Sequence, residues 1–399
     1  MSIMGDVIPS TAADLRRAGL VRALRAVHEA GGEISRAELA RTLDCTRATA
    51  AALVTDLADI GLLTERPSLP TGRRGRPTPL VTPVPDGPVV AVAEVGVDGV
   101  RVATSGIGGR LSAIHSIPLP DHAVEAVAAV VRGALDRRLS DLGARCRGVG
   151  IGVFGLVDHT SRTIVEAPNL GWTDVDLLGM LGLPEHLPVR MGNVANLIAL
   201  ADSVRGIGHG RSTVLHIHAG VGVGGALVVD GRPMPGRSGL AGEYGHLPFG
   251  TTAELCRCGA RGCWETEVDQ LALARAAGVA ADAATAAAAV RRIIKGARAG
   301  DAAAVAATRQ VGVALGRGIG AVVNVHDPDL VVLAGHAAQL HTLLPDVVER
   351  AAAAAALRAH RRRMPPIAST PIGGDAALIG AAEQLFVELL SDPWSLATR

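Results

Sequence analysis

Aromatic residues are nearly absent from this chain: one tyrosine, three phenylalanines and three tryptophans make up 2% of its 399 residues. Any core must therefore be built from Ala, Val, Leu and Ile, within a hydrophobic content of 48%. Lysine is scarcer still, with Lys295 alone, so arginine carries the positive charge. The net charge is only +1, which excludes binding to a polyanion through bulk charge. Any nucleic-acid contact must come from a local basic patch. No apolar run reaches membrane-spanning length, and no basic-then-apolar leader opens the chain. The expectation is a soluble cytoplasmic protein with no membrane contact. Cysteines number five, and Cys256, Cys258 and Cys263 fall within eight residues. Such crowding argues for a metal rather than a disulfide framework.

The length suits two or three domains. A first helix over residues 11–30 places Leu20, Val21, Leu24 and Val27 on one face, and Gly31-Gly32 ends it. Ser35 followed by Glu38 is a capping box for a second helix with Leu39 and Leu43 as its apolar side. After the turn Asp44-Cys45, Thr46 caps a third helix whose buried stripe is Leu53, Val54, Leu57 and Ile60. Residues 62–66 and 80–84 are two short strands around a basic loop, and Pro83, Pro85 and Pro88 mark a linker. From Val89 onward apolar strands alternate with Ala-rich helices, the pattern of an α/β domain. Strands are expected at 89–95, 100–104, 148–154, 213–218 and 330–334, and helices within 270–315 and 346–360. No solenoid-type repeat is present.

Two short helices followed by a basic hairpin have the order of a winged helix-turn-helix. The third helix would present Thr46, Arg47, Thr49 and Ala50 to DNA. Arg47 can pair bidentately with guanine, Thr49 can offer a hydroxyl or methyl, and the capping Thr46 suits a phosphate. Arg73, Arg74 and Arg76 on the Gly-containing wing can track a phosphate backbone or enter a narrow minor groove. The plainer alternative is a three-helix bundle with a solvated basic loop. The combination of both features in this order favours double-stranded DNA as a partner.

The segment Cys256-Arg257-Cys258-Gly259-Ala260-Arg261-Gly262-Cys263 has the form C-x-C-G-x-x-G-C. Three thiolates this close repel unless a cation joins them, and the glycines permit the turns that bring the sulfurs together. His246, ten residues upstream of Cys256, completes a Cys3His set for a structural Zn2+. The alternatives are a disulfide plus a free thiol, and an ordinary core role for His246.

At these residues the chain resembles the ROK family of repressors, open reading frames and sugar kinases. The matching pieces are Gly-Val-Phe-Gly-Leu-Val-Asp (152–158), Ala-Pro-Asn-Leu-Gly-Trp (167–172) and Gly-Glu-Tyr-Gly-His (242–246). To these add the cysteine cluster running into Trp264-Glu265, and Gly-Gly-Asp-Ala-Ala-Leu-Ile-Gly (373–380). The resemblance covers essentially the whole chain, since many family members carry an amino-terminal winged helix. It implies an α/β fold: a winged helix-turn-helix over 1–85, then a two-lobed actin-like (ribonuclease H-like) sugar-kinase domain over 86–399. The lobes would be about 86–198 plus a carboxyl-terminal helix at 375–392, and 199–374. The resemblance further implies a homodimer or tetramer, a sugar cleft, and Asn193, Glu243, His246 and Glu265 as sugar-holding residues. Surface salt bridging is the simpler alternative for the two glutamates.

Kinase chemistry needs a carboxylate to take the hydroxyl proton and loops that cradle phosphates. The family's Glu-Asn-Asp-Ala-Asn stands here as Gly192-Asn193-Val194-Ala195-Asn196, so Val194 replaces the base. Its Asp-x-Gly-Gly-Thr loop is Glu94-Val95-Gly96-Val97-Asp98, and its Gly-Thr-Gly loop is Gly220-Val221-Gly222. No catalytic residue is therefore assigned. The expectation is a sugar-responsive regulator, most simply a dimeric repressor on a palindromic operator. Its rivals are a bifunctional sugar kinase, a constitutive regulator with a vestigial pocket, and a zinc sensor.

Overall fold

The computed structural model describes residues 11–67, 79–119, 121–252 and 254–397. The wing arginines Arg73, Arg74 and Arg76 lie outside the described residues. The amino-terminal module contains α1 (Ala12–Glu29), β1 (Ile34–Ser35), α2 (Arg36–Thr42), α3 (Arg47–Asp59), β2 (Leu63–Arg66) and β3 (Leu80–Pro83). Its start signals are local. Thr11 and Ser35 each form a capping box, with Asp14 and Glu38 respectively, and Thr46 accepts from the Thr49 amide. The three strands pair antiparallel in the order β1-β3-β2. Leu24, Val27, Leu39 and Leu57 are fully buried between the helices.

The remainder contains two five-stranded sheets of the same design. In the first, β4 (Val89–Val95), β5 (Gly99–Gly106) and β6 (Leu111–Pro118) form an antiparallel meander. Helix α4 (Val124–Leu142) then leads to β7 (Cys146–Val153), which lies parallel to β4. A small antiparallel sheet of β8 (Leu156–Asp158), β9 (Thr163–Ala167) and β10 (Trp172–Val175) is followed by α5 (Leu177–Leu181). The chain returns to the first sheet as β11 (Val189–Asn193), parallel to β7, giving the order β11-β7-β4-β5-β6.

Helix α6 (Val194–Arg205) crosses to the second sheet, where β12 (Thr213–Ala219), β13 (Val223–Val229) and β14 (Arg232–Pro233) repeat the meander. After α7 (Glu265–Val268), α8 (Gln270–Ala276), α9 (Ala286–Arg298) and α10 (Ala302–His326), β15 (Leu330–Gly335) lies parallel to β12. Helices α11 (His336–Leu343), α12 (Pro345–Ala355) and α13 (Arg358–Arg361) precede β16 (Ile367–Ser369), parallel to β15. The order is β14-β13-β12-β15-β16. Both sheets thus run third-second-first-fourth-fifth, the duplicated plan of an actin-like fold. The Ala-rich stretch 270–315 is not one helix but three pieces, broken after Ala276 and Arg298.

Helices α14 (Ala376–Leu389) and α15 (Pro393–Leu396) close the chain. Helix α14 packs on the first sheet and on α6, while α6 also covers the second sheet. The lobe boundary expected near 198 falls inside α6. A Cβ on Gly380 would lie 1.9 Å from the Leu197 carbonyl oxygen, so the two helices touch backbone to backbone. One apolar cluster runs without interruption from Leu24 and Val27 of α1 through Ile107 to Phe386 and Leu389 of α14. The amino-terminal module is therefore seated on the first lobe. Among the described residues no helix is long and apolar enough to cross a membrane.

The α6–α14 contact leaves no room for a methyl group. Gly380→Ala should destabilise the protein by about 3 kcal/mol, the upper end of ordinary overpacking. A fall in the urea midpoint checks this; an unchanged midpoint would show that the helices can separate freely.

Candidate functional site

Between the two lobes lies a cavity of about 750 Å³. Four chain reversals build it. The hairpin tip after β4 supplies Gly96, Val97 and Asp98; the junction of β11 and α6 supplies Asn193, Val194 and Ala195. The glycine loop after β12 supplies Gly220, Val221 and Gly222, and the loops around α7 supply Glu243, His246, Arg257 and Glu265. The four residues expected to hold a sugar are thus brought to one cavity, and so are the three positions where kinase residues are replaced.

Their surroundings differ. Asn193 is the cap of α6: its Oδ1 accepts from the amides of Ala195 (2.8 Å) and Asn196 (3.3 Å), and its Nδ2 donates to the Gly155 carbonyl (2.8 Å). Only one N–H of its carboxamide remains for a ligand. Glu243 and His246 are half-buried, with Glu243 Oε2 3.8 Å from His246 Nε2. Burial, with the charges of Glu265 and Glu166 behind it, pushes the Glu243 carboxyl up to about 7. Glu265 is buried; its Oε2 accepts from the Val223 amide at 3.3 Å, and its Oε1 lies 2.9 Å from Cys256 Sγ. A thiolate and a carboxylate so close need a proton or a cation between them.

That cation has a place. The donor atoms of His246, Cys256, Cys258 and Cys263 all lie within 4.8 Å of one another. Cys258 and Cys263 Sγ are 3.6 Å apart, and Cys256 Sγ is 3.6 Å from His246 Nδ1. Tetrahedral bonds of about 2.3 Å to sulfur require edges of about 3.8 Å, so the donor set fits a four-coordinate ion. The imidazole turns Nδ1 to the cysteines and Nε2 to the cleft.

The positions that align with the family's kinase motifs have the following surroundings. Val194 is buried in an apolar cluster with Ile198, Ala334 and Ala376. Glu94, where the first phosphate loop begins, is held by Arg101 at 3.1 Å, and the same guanidinium pairs with Asp375 and the Gly374 carbonyl. Burial raises the Glu94 carboxyl, against the pull of Arg101. His218 also lines the cavity. Burial, reinforced by His336, lowers it to about 4, so it is neutral at physiological pH.

Arg257 is a cleft residue that sequence reasoning passed over. Lying between two of the cysteines, it donates to Asn169 Oδ1 of the first lobe and to the Val221 carbonyl of the second, and pairs with Asp269 at 3.2 Å. A basic residue inside C-x-C was the only available signal. In the amino-terminal module, Thr46, Arg47 and Thr49 are exposed at the start of α3. Thr46 and Thr49 share a hydroxyl contact of 2.9 Å. Ala50 is fully buried and faces the core rather than DNA, because its place one turn after the cap points inward.

The family model of the ROK family matches residues 90–386. The glucokinase of Streptomyces coelicolor is 28% identical over 310 residues, covering 72% of this chain and 96% of that protein. A putative xylose repressor of Caldicellulosiruptor sp. is 27% identical over 332 residues, covering 79% of this chain and 83% of that protein. A ROK-family transcriptional regulator described as a homolog of the E. coli Mlc protein matches 96% of this chain and 98% of its own. Its TM-score is 0.73 at 22% identity, a likeness that shows the fold.

Elemental analysis of purified protein should return one metal ion per chain. Cys258→Ser, at the exposed corner of the cluster, should lower that content and the Tm together. Full metal content in this variant would place the ion elsewhere.

Proposed function

The chain belongs to the ROK family, and within it we propose a DNA-binding transcription regulator, most simply a repressor, that has no kinase activity and takes a sugar or sugar derivative in its cleft. The observation carrying this reading is the asymmetry of one cavity. Its hydroxyl-binding side retains Asn193, Glu243, His246 and Glu265. Its catalytic side has lost the carboxylate at Val194 and the hydroxyl at Val221, and has gained the charge of Asp98. Loss of a positioned base alone typically costs about 10²–10⁴ in rate.

The DNA-binding part of the reading is supported by the module that precedes the family match. Exposed Arg47 and Thr49 stand on the first turn of α3, the part of such a helix that meets base edges. Arg73, Arg74 and Arg76, expected on the wing, would contact the backbone or minor groove. A palindromic operator and a homodimer or tetramer follow from the two-fold logic of such readers.

The metal of this reading is a structural Zn2+ on His246 Nδ1 and the three cysteines. It would supply a fixed charge that neutralises the thiolates. The chain's own residues do the rest: His246 keeps Nε2 toward the cleft beside Glu243, and Glu265 follows directly on the last ligand's neighbour, so both are oriented for vicinal hydroxyls.

A glucokinase relative favours the second reading, a bifunctional sugar kinase. Incubation with ATP and glucose, N-acetylglucosamine, fructose or xylose should give no ADP release. Val194→Asp should not restore it, because Asp98 and Val221 remain; detectable sugar phosphorylation by the unaltered protein would establish the second reading instead.

Genomic footprinting should identify a palindromic site, at which Arg47→Ala weakens binding by about 1–3 kcal/mol and relaxes selectivity at one base position. At least one sugar of a panel should shift the DNA titration. A titration unmoved by every sugar would leave a constitutive regulator with a vestigial pocket.

A further inference from the structure

Helix α6 has one end in the cleft and the other in the seat of the amino-terminal module. Asn193, Val194 and Ala195 at its start line the cavity. Arg205 at its end leaves the lobes and enters the contact with α1. Twelve residues separate these ends, a rod of about 18 Å.

The far end is tightly specified. Arg205 Nε and Nη2 donate to Glu383 Oε1 of α14 at 2.8 and 2.7 Å, and Nη1 donates to the carbonyl of His28 in the last turn of α1. The His28 ring closes the circuit. Its Nδ1 accepts from the Gly108 amide at 3.0 Å, and its Nε2 lies 2.9 Å from Glu383 Oε2. One tautomer satisfies both contacts, with the proton on Nε2 donated to the carboxylate. Arg205 Nη2 also approaches Nε2, but with that nitrogen protonated its hydrogen bond goes to Glu383. Side-chain exposure is 2% for His28, 3% for Glu383 and 13% for Arg205.

The surroundings leave little slack. A Cβ on Gly108 would lie 2.7 Å from Gly32 Cα, so the β5–β6 turn abuts the end of the α1 segment backbone to backbone. The Phe386 ring stands 4.6 Å from the imidazole. At the opposite end of the same face, Arg17 of α1 pairs with Asp392 at 3.2 Å and covers the Trp394 ring at 5.3 Å. A shift of the α6 terminus therefore moves α1 rather than being absorbed beside it.

We propose that the Arg205–Glu383–His28 cluster couples the cleft to the DNA-binding module, with α6 as the rigid member between them. The three are positioning residues: they touch neither the cavity nor the face of α3 that would meet DNA. The inference rests on reading the cavity as an effector site. Linkage is reciprocal, so loosening the seat loosens the cleft end of α6, which gives a test that needs neither sugar nor operator.

Amide hydrogen exchange on the full chain reads both ends. The Gly108 amide reports the seat, and the Ala195 and Asn196 amides, bonded to Asn193 Oδ1, report the cleft. Arg205→Met should speed exchange about tenfold at Gly108 and also raise it at Ala195 and Asn196, while amides within α10 stay unchanged. Glu383→Gln, which keeps an oxygen for the His28 Nε2–H, should do the same to a smaller degree and guards against misfolding of the first variant. Faster exchange confined to Gly108, or no change there, overturns the coupling. A second arm uses D-glucose and D-xylose as probes. Where either shifts the DNA affinity of the unaltered protein, the shift should shrink toward onefold in Arg205→Met at sugar concentrations that calorimetry shows still saturate the variant; an undiminished shift also overturns it. If neither sugar acts on the unaltered protein, the effector reading is what suffers, and the exchange result alone judges the coupling.

Discussion

The close approach of α6 to α14 is the constraint on which the rest of the molecule depends. Gly380 permits it, because any side chain there would strike the Leu197 carbonyl. Two helices in backbone contact occupy less space than two separated by side chains, so the sheets they cover stand close enough to share a cleft. The same contact brings Arg205 and Glu383 together on adjacent helices. Burying that pair is tolerable only because each polar atom is met. Desolvation works to raise the Glu383 carboxyl, but the hydrogen bond from His28 and the charge and hydrogen bonds of Arg205 outweigh it, and the carboxyl ends below its usual range. Removing one partner from such a pair typically costs about 3–5 kcal/mol, because the other is left charged and buried.

The local features were legible in the sequence. Capping boxes at Ser35 and Thr46's cap of α3 depend on residues three positions apart, and hydrophobic stripes depend on one turn, so spacing alone exposes them. The cysteine cluster is equally local, since three of four donors lie within eight residues. The two-lobed plan was legible only through the family resemblance, because the two sheets repeat a strand order and that order is not written in residue spacing.

What the sequence hid follows one rule: it was long-range or it depended on direction. His28 and Glu383 are 355 positions apart, and Arg205 and Glu383 are 178 apart. No spacing argument joins them. Ala50 is next to exposed Thr49, and only the phase of the helix decides that one faces solvent and the other the core. Asn193 illustrates a different limit. Its motif position marks it for the cleft, where it does lie, yet most of its hydrogen-bonding capacity holds α6 and Gly155 in place. A residue can occupy a ligand site chiefly to shape it.

The cleft's chemistry is consistent with that division. The two arginines that line the cavity are already committed. Arg101 is bound to Glu94 and Asp375, and Arg257 to Asp269, Asn169 and Val221. Neither is free to receive a phosphate without breaking a charged contact. Arg257 joins the two lobes, because Asn169 belongs to the first and Val221 and Asp269 to the second, and it sits between two of the clustered cysteines. A ligand that changed the lobe separation would have to change those contacts, and α6, which begins in the same cavity, would feel the same displacement.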